Sequence, residues 1–397
     1  MAEVAKAEIV SQTTIKPSSP TASHLQHSKV SLLDQLAPPF YVPIVLFYSP
    51  IDHDFTKISD RLMASLSQVL TLYYPFCGRL KGNKSDAYVD CKDEGVLYLE
   101  ARTSLRLSDF LQSNNHNPQP NEIKAFLPLD PYNPKPKNNE EYPFIMEVRV
   151  TEFSCGSVGI GVCISHKVCD GATIASFLQA WSENAVADGN DVSDSPPNMD
   201  AFLLFPARDI EMNTASGMIG EKNLSTGRFL FTEKRLCELR DKLVSGGCHF
   251  KPTRVEAATA LIWKSAMKVA GGVRQSMVSH AVNIHSRMVP PLPENSIGNL
   301  WQQVVSPLVG REAELQDLAE VVRKTVKRMD EECMRKLEGG GRSEGLVEVV
   351  KSLKEVMFLV GTKGVPCYSF SSWTRFGLYE AKFQHCSELI QFASFDL

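Results

Sequence analysis

The segment from Phe144 to Ser165, FIMEVRVTEFSCGSVGIGVCIS, constrains the fold more than any other part of the chain. Its first arm alternates apolar and polar residues, Gly156 lies at the turn, and its second arm is almost entirely apolar. This pattern predicts a β-hairpin. A strand that is apolar on both faces must be covered on both faces, so the second arm is predicted to be buried.

Other segments predict further strands and helices. A strand rich in β-branched and aromatic residues begins at Tyr41, and the helical apolar spacing that follows it ends at Pro75. A charged amphipathic helix is predicted from Glu312 to about Met334. The segment TRVEAATALIWKSAMKVA predicts another helix. Its expected core face consists of Val255, Ala258, Ile262 and Ala266.

Composition limits the possible functions. The chain has 397 residues, of which 43% are hydrophobic and 22% charged, and its length favours two or three domains. A net charge of -4 gives no support to wrapping of nucleic acid or to an anionic membrane surface. No export signal and no apolar run of about 18 residues is found, which predicts a cytoplasmic protein. The ten cysteines are scattered, so we interpret them as reduced thiols.

The stretch ISHKVCDGATIASF, from Ile164 to Phe177, carries the candidate chemistry. His166 ends the buried strand, Asp170 follows four residues later, and Gly171 permits a backbone geometry that residues with a Cβ resist. Asp170 can cap a new helix or reach back into the turn. The apolar spacing of that amphipathic helix is given by Ile174, Phe177, Leu178 and Trp181. The histidine therefore lies on a strand-to-helix turn, where its side chain can face a crevice.

Three interpretations of this turn are open. In the first, His166 is a satisfied core histidine and Asp170 only caps the helix. In the second, Cys163, His166 and Cys169 imitate a metal site, although residues 163 and 166 face opposite sides of one strand and no second ligand pair follows. In the third, His166 is a catalytic base. The chain has no nucleophile elbow, Walker loop or dinucleotide fingerprint that would favour another enzyme class.

Four blocks in colinear order resemble the plant BAHD acyl-CoA-dependent acyltransferases. They are SHKVCDG with its helix, YYPFCGRLKG from Tyr73, NIHSRMVPPLPENSIGN from Asn283, and SFSSWTRFGLYEA from Ser369. With the opening block SLLDQLAPPFYVPIVLFY, the chain is most similar to the vinorine synthase-like branch of alkaloid acetyltransferases.

The resemblance implies an α/β fold of two chloramphenicol-acetyltransferase-like domains with mixed sheets and a central channel. The expected domains are residues 1–186, which carry the H-x-x-x-D motif, and residues 210–397. The polar, proline-rich stretch 187–209 is expected to be the crossover linker. Relatives continue with a D-F-G-W-G block and further strands, whereas this chain reads YEAKFQHCSELIQFASFDL. The second domain is therefore expected to be truncated at its C-terminus.

The resemblance also implies roles for individual residues. His166 and Asp170 are the expected catalytic pair, in which His166 is the general base and Asp170 holds the turn through an ion pair with an arginine. In the NIHSR block, His285 stands at the first arginine position of the family pattern. Arg287 is therefore the arginine expected to form the ion pair with Asp170. Ser371 and Trp373 match positions proposed to bind substrate or acyl-CoA.

The expected activity is transfer of an acyl group, acetyl in the first place, from acyl-CoA to a hydroxyl of a plant metabolite such as an alkaloid. A CoA thiol is a good leaving group, so one base suffices and no covalent intermediate is needed. Acyl-CoA is a co-substrate, and no metal, bound cofactor or nucleic-acid partner is expected. The alternative is a catalytically impaired relative that only binds ligands. A monomer is the expected state.

Overall fold

The computed structural model describes residues 7–50, 54–82, 84–116, 120–133, 143–186, 196–209, 227, 229–271, 274–329, 354, 356–383 and 386–394. The strands are β1 (Glu8–Ile15), β2 (His27–Lys29), β3 (Tyr41–Pro50), β4 (Arg79–Lys81), β5 (Tyr88–Asp90), β6 (Val96–Thr103), β7 (Met146–Phe153), β8 (Val158–Ser165), β9 (Gln275–Asn283), β10 (Trp301–Val305), β11 (Val309–Gly310), β12 (Cys367–Phe370) and β13 (Cys386–Ser394). The helices are α1 (Leu32–Leu36), α2 (Phe55–Leu72), α3 (Leu107–His116), α4 (Pro120–Ile123), α5 (Gly171–Val186), α6 (Ala201–Leu204), α7 (Glu233–Ser245), α8 (Arg254–Val269) and α9 (Leu315–Arg328).

The chain forms two compact units. The first consists of residues 1–228, 293–299 and 374–396, and the second of residues 229–292 and 300–373. Two short segments from the C-terminal half of the sequence thus belong to the first unit. Residues 187–195 of the expected linker lie outside the described residues, and residues 196–209, which include α6, belong to the first unit.

A six-stranded mixed sheet forms the centre of the first unit, in the order β1-β6-β7-β8-β3-β13. Strands β6 and β7 run parallel, and the other neighbouring pairs are antiparallel. The hairpin predicted from Phe144 to Ser165 is confirmed as β7 and β8, with Gly156 at φ 81° in its turn. A smaller sheet in this unit has the order β2-β5-β4.

Close packing explains why strand β8 contains Gly161. A Cβ on Gly161 would lie 2.0 Å from the Phe126 carbonyl oxygen, so only glycine lets that carbonyl approach the strand. On the helical side of the unit, Trp181 of α5 donates its indole N–H to the Leu62 carbonyl of α2 at 3.2 Å. The apolar face predicted for α5 is confirmed, because Ile174, Phe177, Leu178 and Trp181 are all fully buried.

The second unit contains a sheet in which β9 pairs with β10, β11 and β12. Helices α8 and α9 pack against it around Val278, Leu318 and Val322. The charged amphipathic helix is confirmed in its described part, as α9.

The core face predicted for α8 is wrong. Ile262 is 42% exposed, and the buried face instead carries Ala257, Ala260, Trp263 and Met267. Burying Trp263 removes more apolar surface from water than burying Ile262, and its indole N–H donates to Ser276 at 2.8 Å. The helix is therefore rotated relative to the prediction.

The end of the chain returns to the first unit. Strand β13 pairs antiparallel with β3, and the Tyr48 hydroxyl donates to the Ala381 carbonyl at 3.0 Å. Phe383 is buried, with its ring 5.0 Å from Trp181 and 5.7 Å from Tyr48. The terminal segment therefore adds an edge strand to the sheet of the first unit, and Phe383 packs into its aromatic core.

The predicted α/β class with mixed sheets is confirmed. Within the described ranges, the helices are too short or too polar for any of them to span a lipid bilayer.

Candidate functional site

His166 occupies the turn between the buried strand β8 and helix α5. Its main-chain N–H donates to the Phe40 carbonyl at 2.9 Å, and the N–H of Val168 closes the turn by donating to Ser165 at 3.2 Å. The Phe40 ring packs edge-on against the imidazole, with 5.4 Å between the ring centroids. The turn thus fixes the histidine at the end of a rigid strand.

The surroundings of His166 favour its neutral form. Burial lowers the pKa of His166, because removal of water disfavours the imidazolium. Hydrogen bonds within the turn, the charge of Asp170 and a hydrogen bond with the Asn299 side chain oppose this shift without reversing it. The imidazole is therefore neutral at neutral pH and can accept a proton.

Asp170 caps helix α5. Its Oδ1 accepts a hydrogen bond from the N–H of Thr173 at 2.9 Å, and its carbonyl accepts the first helical bond from Ile174 at 3.0 Å. These are the two contacts of an N-cap residue. The carboxylate thus stabilises the start of the helix that follows the histidine.

Gly171 is the first residue of α5, and the special backbone geometry expected there is not found. Its φ is not among the positive values that the described glycines adopt. A helical first turn is open to residues with a Cβ, so the main chain does not by itself demand glycine at this position.

Asn299 is a site residue that the sequence interpretation did not single out. Its Nδ2 donates to the His166 carbonyl at 2.6 Å and to Asp34 Oδ1 at 2.9 Å. Its main-chain N–H donates to the same Asp34 oxygen at 2.8 Å. Asn299 belongs to the segment 293–299 that joins the first unit from the C-terminal half of the chain.

Asp34 is the second residue that the sequence interpretation missed. Its other oxygen, Oδ2, accepts from the Ser31 N–H at 2.8 Å and from the Ser31 hydroxyl at 2.7 Å. Burial raises the pKa of the Asp34 carboxyl, and the bonds from Ser31 and Asn299 oppose that rise. Nearby, Lys167 donates to the Gln35 carbonyl at 2.9 Å. Spacing in the sequence gave no signal for Asp34 and Asn299, which are 265 positions apart.

The other predicted site residues lie in the second unit. Arg287 donates through Nη1 to the Asn283 carbonyl at 2.6 Å, four residues before it. The Trp373 indole N–H donates to the Ser371 hydroxyl at 3.0 Å, so these two side chains contact each other. The structure brings His166, Asp170 and Gly171 together in one turn, and Ser371 and Trp373 together in another.

No group of histidine, cysteine, aspartate and glutamate side chains suited to a metal ion occurs among the residues that the structure describes. Cys163 is buried in an apolar cluster, and Cys169 directs its thiol to the Ser165 carbonyl at 3.5 Å. Burial raises the pKa of the Cys169 thiol well above its ordinary range. The Cys169 sulfur is therefore packed as a neutral thiol, and the Cys163 side chain is part of the apolar core.

The model of the Transferase family matches residues 5–392 of the chain. Stemmadenine O-acetyltransferase of Catharanthus roseus is 32% identical over 385 residues, covering 95% of this chain and 85% of that protein. Limonoid 1-O-acetyltransferase of Citrus sinensis is 33% identical over 397 residues, covering 94% and 85%. The crystal structure of vinorine synthase is similar with a TM-score of 0.78 and 30% identity, and the alignment covers 98% of this chain and 89% of that one.

Proposed function

The chain belongs to the Transferase family of BAHD acyl-CoA-dependent acyltransferases. From this membership we propose that it transfers the acetyl group of acetyl-CoA to a hydroxyl group of a plant metabolite. Its class is that of a CoA-dependent O-acyltransferase. We propose the identity of the acyl donor, the class of the acceptor and the residue that acts as the base.

We propose that His166 is the general base. Its neutral imidazole takes the proton of the acceptor hydroxyl while the oxygen attacks the thioester carbonyl. The tetrahedral intermediate collapses, the carbon–sulfur bond breaks and the CoA thiolate leaves. The imidazolium then returns its proton to that thiolate, so no covalent acyl-enzyme is required. The observation that carries this proposal is the lowered pKa of His166 in a turn fixed at the end of β8.

The remaining site residues receive proposed roles from the family resemblance. Asp170 holds the turn through its helix cap, and an ion pair to Arg287 would add to that support. Ser371 and Trp373 would contact the acyl-CoA or the acceptor together, as neighbours joined by their mutual hydrogen bond. We place the protein in the cytoplasm as a monomer.

The acceptor is proposed to be an alkaloid or limonoid alcohol. The similar proteins are named for stemmadenine in one case and for a limonoid in the other, at 32% and 33% identity. Identity therefore does not choose between an alkaloid and a terpenoid alcohol. The acceptor is therefore proposed as an alcohol from either class, and the transferred acetyl group forms an ester with its hydroxyl oxygen.

The test is turnover by the purified chain. Acetyl-CoA is incubated with a panel of alkaloid and limonoid alcohols, the released CoA thiol is followed with a thiol reagent, and the ester is identified by mass spectrometry. We expect thiol release that saturates with one class of alcohol. A folded chain that neither binds acetyl-CoA in a calorimetric titration nor releases thiol would overturn the proposal.

A second candidate function is ligand binding without turnover. It is favoured by one observation, the replacement of the family's D-F-G-W-G block by the sequence KFQHC after Ala381. Saturable acetyl-CoA binding without thiol release, with every alcohol of the panel, would support this candidate over the enzyme.

We expect Asp170→Ala to lower stability. Loss of the N-cap acceptor leaves the Thr173 N–H without its helix-capping partner, which costs about 0.5 to 2 kcal/mol of unfolding free energy. Asp170→Asn is the matched control, because its side-chain oxygen can still cap the helix, and it should unfold within a few tenths of a kcal/mol of the parent. Urea unfolding measures both variants. An unchanged unfolding midpoint for Asp170→Ala, combined with abolished turnover, would contradict this structural role.

A further inference from the structure

We propose that Asp34 and Asn299 form a positioning latch for His166. The latch is the pair of side chains that holds the His166 main chain through its carbonyl. Neither residue would take the proton of the acceptor, and Asn299 also hydrogen-bonds the imidazole, so both would act through the histidine. This inference rests on the proposed role of His166 as the general base.

The orientation of the Asn299 amide is fixed by its partners. The His166 carbonyl at 2.6 Å and Asp34 Oδ1 at 2.9 Å can only accept hydrogen bonds, so the NH₂ group, and not the amide oxygen, must face them. Its two hydrogens are thereby both used. The amide therefore links a buried carboxylate directly to the main chain of the proposed base.

Asp34 is a firm anchor for this amide. It is 6% exposed and accepts four hydrogen bonds, two from Ser31 and two from Asn299. Because Ser31 and Asp34 form the capping box of α1, the carboxylate is held by that helix start as well.

A second contact fixes the segment that carries Asn299. The Thr173 hydroxyl of α5 donates to the Gly298 carbonyl at 3.1 Å and accepts from the Gly298 N–H at 3.3 Å. Gly298 has φ +128°, and a Cβ there would lie 3.1 Å from Ala201. The segment is therefore tied to the same helix that Asp170 caps, and its register relative to the turn is set.

Both main-chain polar groups of His166 are then held by remote parts of the chain. The N–H is bound by Phe40, and the carbonyl is bound by Asn299, 133 positions away. A base that is displaced by about 1 Å from its productive position can lose roughly 10²-fold in rate. The latch would prevent such a displacement, and the Asn299 side chain also hydrogen-bonds the imidazole itself.

The test compares Asn299→Ala with Asn184→Ala. Asn184 is a matched control, because it is 1% exposed and its Nδ2 donates to a backbone carbonyl, that of Ala180, at 2.8 Å. We expect Asn299→Ala to lower kcat by about 10- to 100-fold with the KM for acetyl-CoA changed less than about twofold. Asn184→Ala should keep its kcat once the rate is normalised to the folded fraction measured by circular dichroism.

A double-mutant cycle separates positioning from general destabilisation. If the latch acts through His166, Asn299→Ala should change nothing further in a His166→Ala background, because the positioned group is gone. The proposal would be overturned if Asn299→Ala lowered kcat by the same factor in the parent and in the His166→Ala background. The isosteric variant Asp34→Asn, which puts an amide donor into a site built of donors, should behave like Asn299→Ala.

The general base and the latch can be tested separately. Full activity of His166→Ala would refute the general base itself. A large loss of kcat in His166→Ala would refute only the latch if Asn299→Ala and Asp34→Asn keep the kcat of the parent after normalisation to the folded fraction. If both latch variants fail to fold while Asn184→Ala folds, the pair is structural and the proposal is equally overturned.

Discussion

His166→Ala should reduce kcat for acetyl transfer by about 10²- to 10⁴-fold, because the acceptor hydroxyl loses the group that takes its proton. The KM for acetyl-CoA should change little, since the variant removes an interaction made in the transition state. Initial rates of CoA release measure both constants. The exposed residue His24 provides the control, and His24→Ala should keep parent activity.

The same residue sets an expected pH dependence. The base works when neutral, so kcat/KM should be constant at neutral pH and should fall as pH drops through the pKa of His166. Because burial lowers that pKa, the fall should occur below about pH 6.5, the ordinary value for histidine. Equal product formation by parent and His166→Ala would eliminate the proposed base, and an acid limb above that value would contradict its buried, neutral state.

Phe383→Ala should destabilise the first unit by about 3 to 5 kcal/mol, which is the cost of removing a buried phenylalanine ring from a core. The ring is 1% exposed and lies edge-on to Trp181 and Tyr48, and neither side chain can fill the space without leaving its own contacts. Since domains are stable by about 5 to 15 kcal/mol, this loss is a large share of the total. The midpoint of urea unfolding, followed by Trp fluorescence, measures it.

An exposed phenylalanine serves as the comparison. Phe229 is 83% exposed, so Phe229→Ala should change the unfolding free energy by no more than about 0.5 kcal/mol. If Phe383→Ala unfolds at the same urea concentration as Phe229→Ala, the terminal segment contributes nothing to the core of the first unit.

The spacing of apolar residues predicted those strands and helices whose buried face depends only on their own sequence. The alternation in β7, the apolar run of β8 and the spacing of Ile174 and Trp181 each specify an element and its buried face. The α8 helix was different, because apolar residues occur around much of its circumference. Its rotation is decided by where Trp263 finds a buried acceptor on Ser276, which periodicity cannot show.

The candidate site was predicted only where it is contiguous in sequence. His166 and Asp170 lie on one turn and were found from their spacing. Asp34 and Asn299 are recruited across 265 positions, and nothing near either residue marks it as a neighbour of the histidine. Asn299 stands in a block that resembles the family pattern, yet a pattern does not say which group accepts its hydrogen bonds. Long-range contacts of this kind need the folded chain.

The first unit is assembled from three separate pieces of the chain. When only residues 1–228 have been synthesised, strand β13, which pairs with β3, is still missing. The Asn299 amide, which binds the His166 carbonyl, is missing as well. During synthesis that edge of β3 awaits a partner, and open strand edges recruit other chains. Fragments cut at residue 228 should therefore be poor autonomous folding cassettes. Recombination between relatives should exchange all three pieces together to preserve the turn that carries His166.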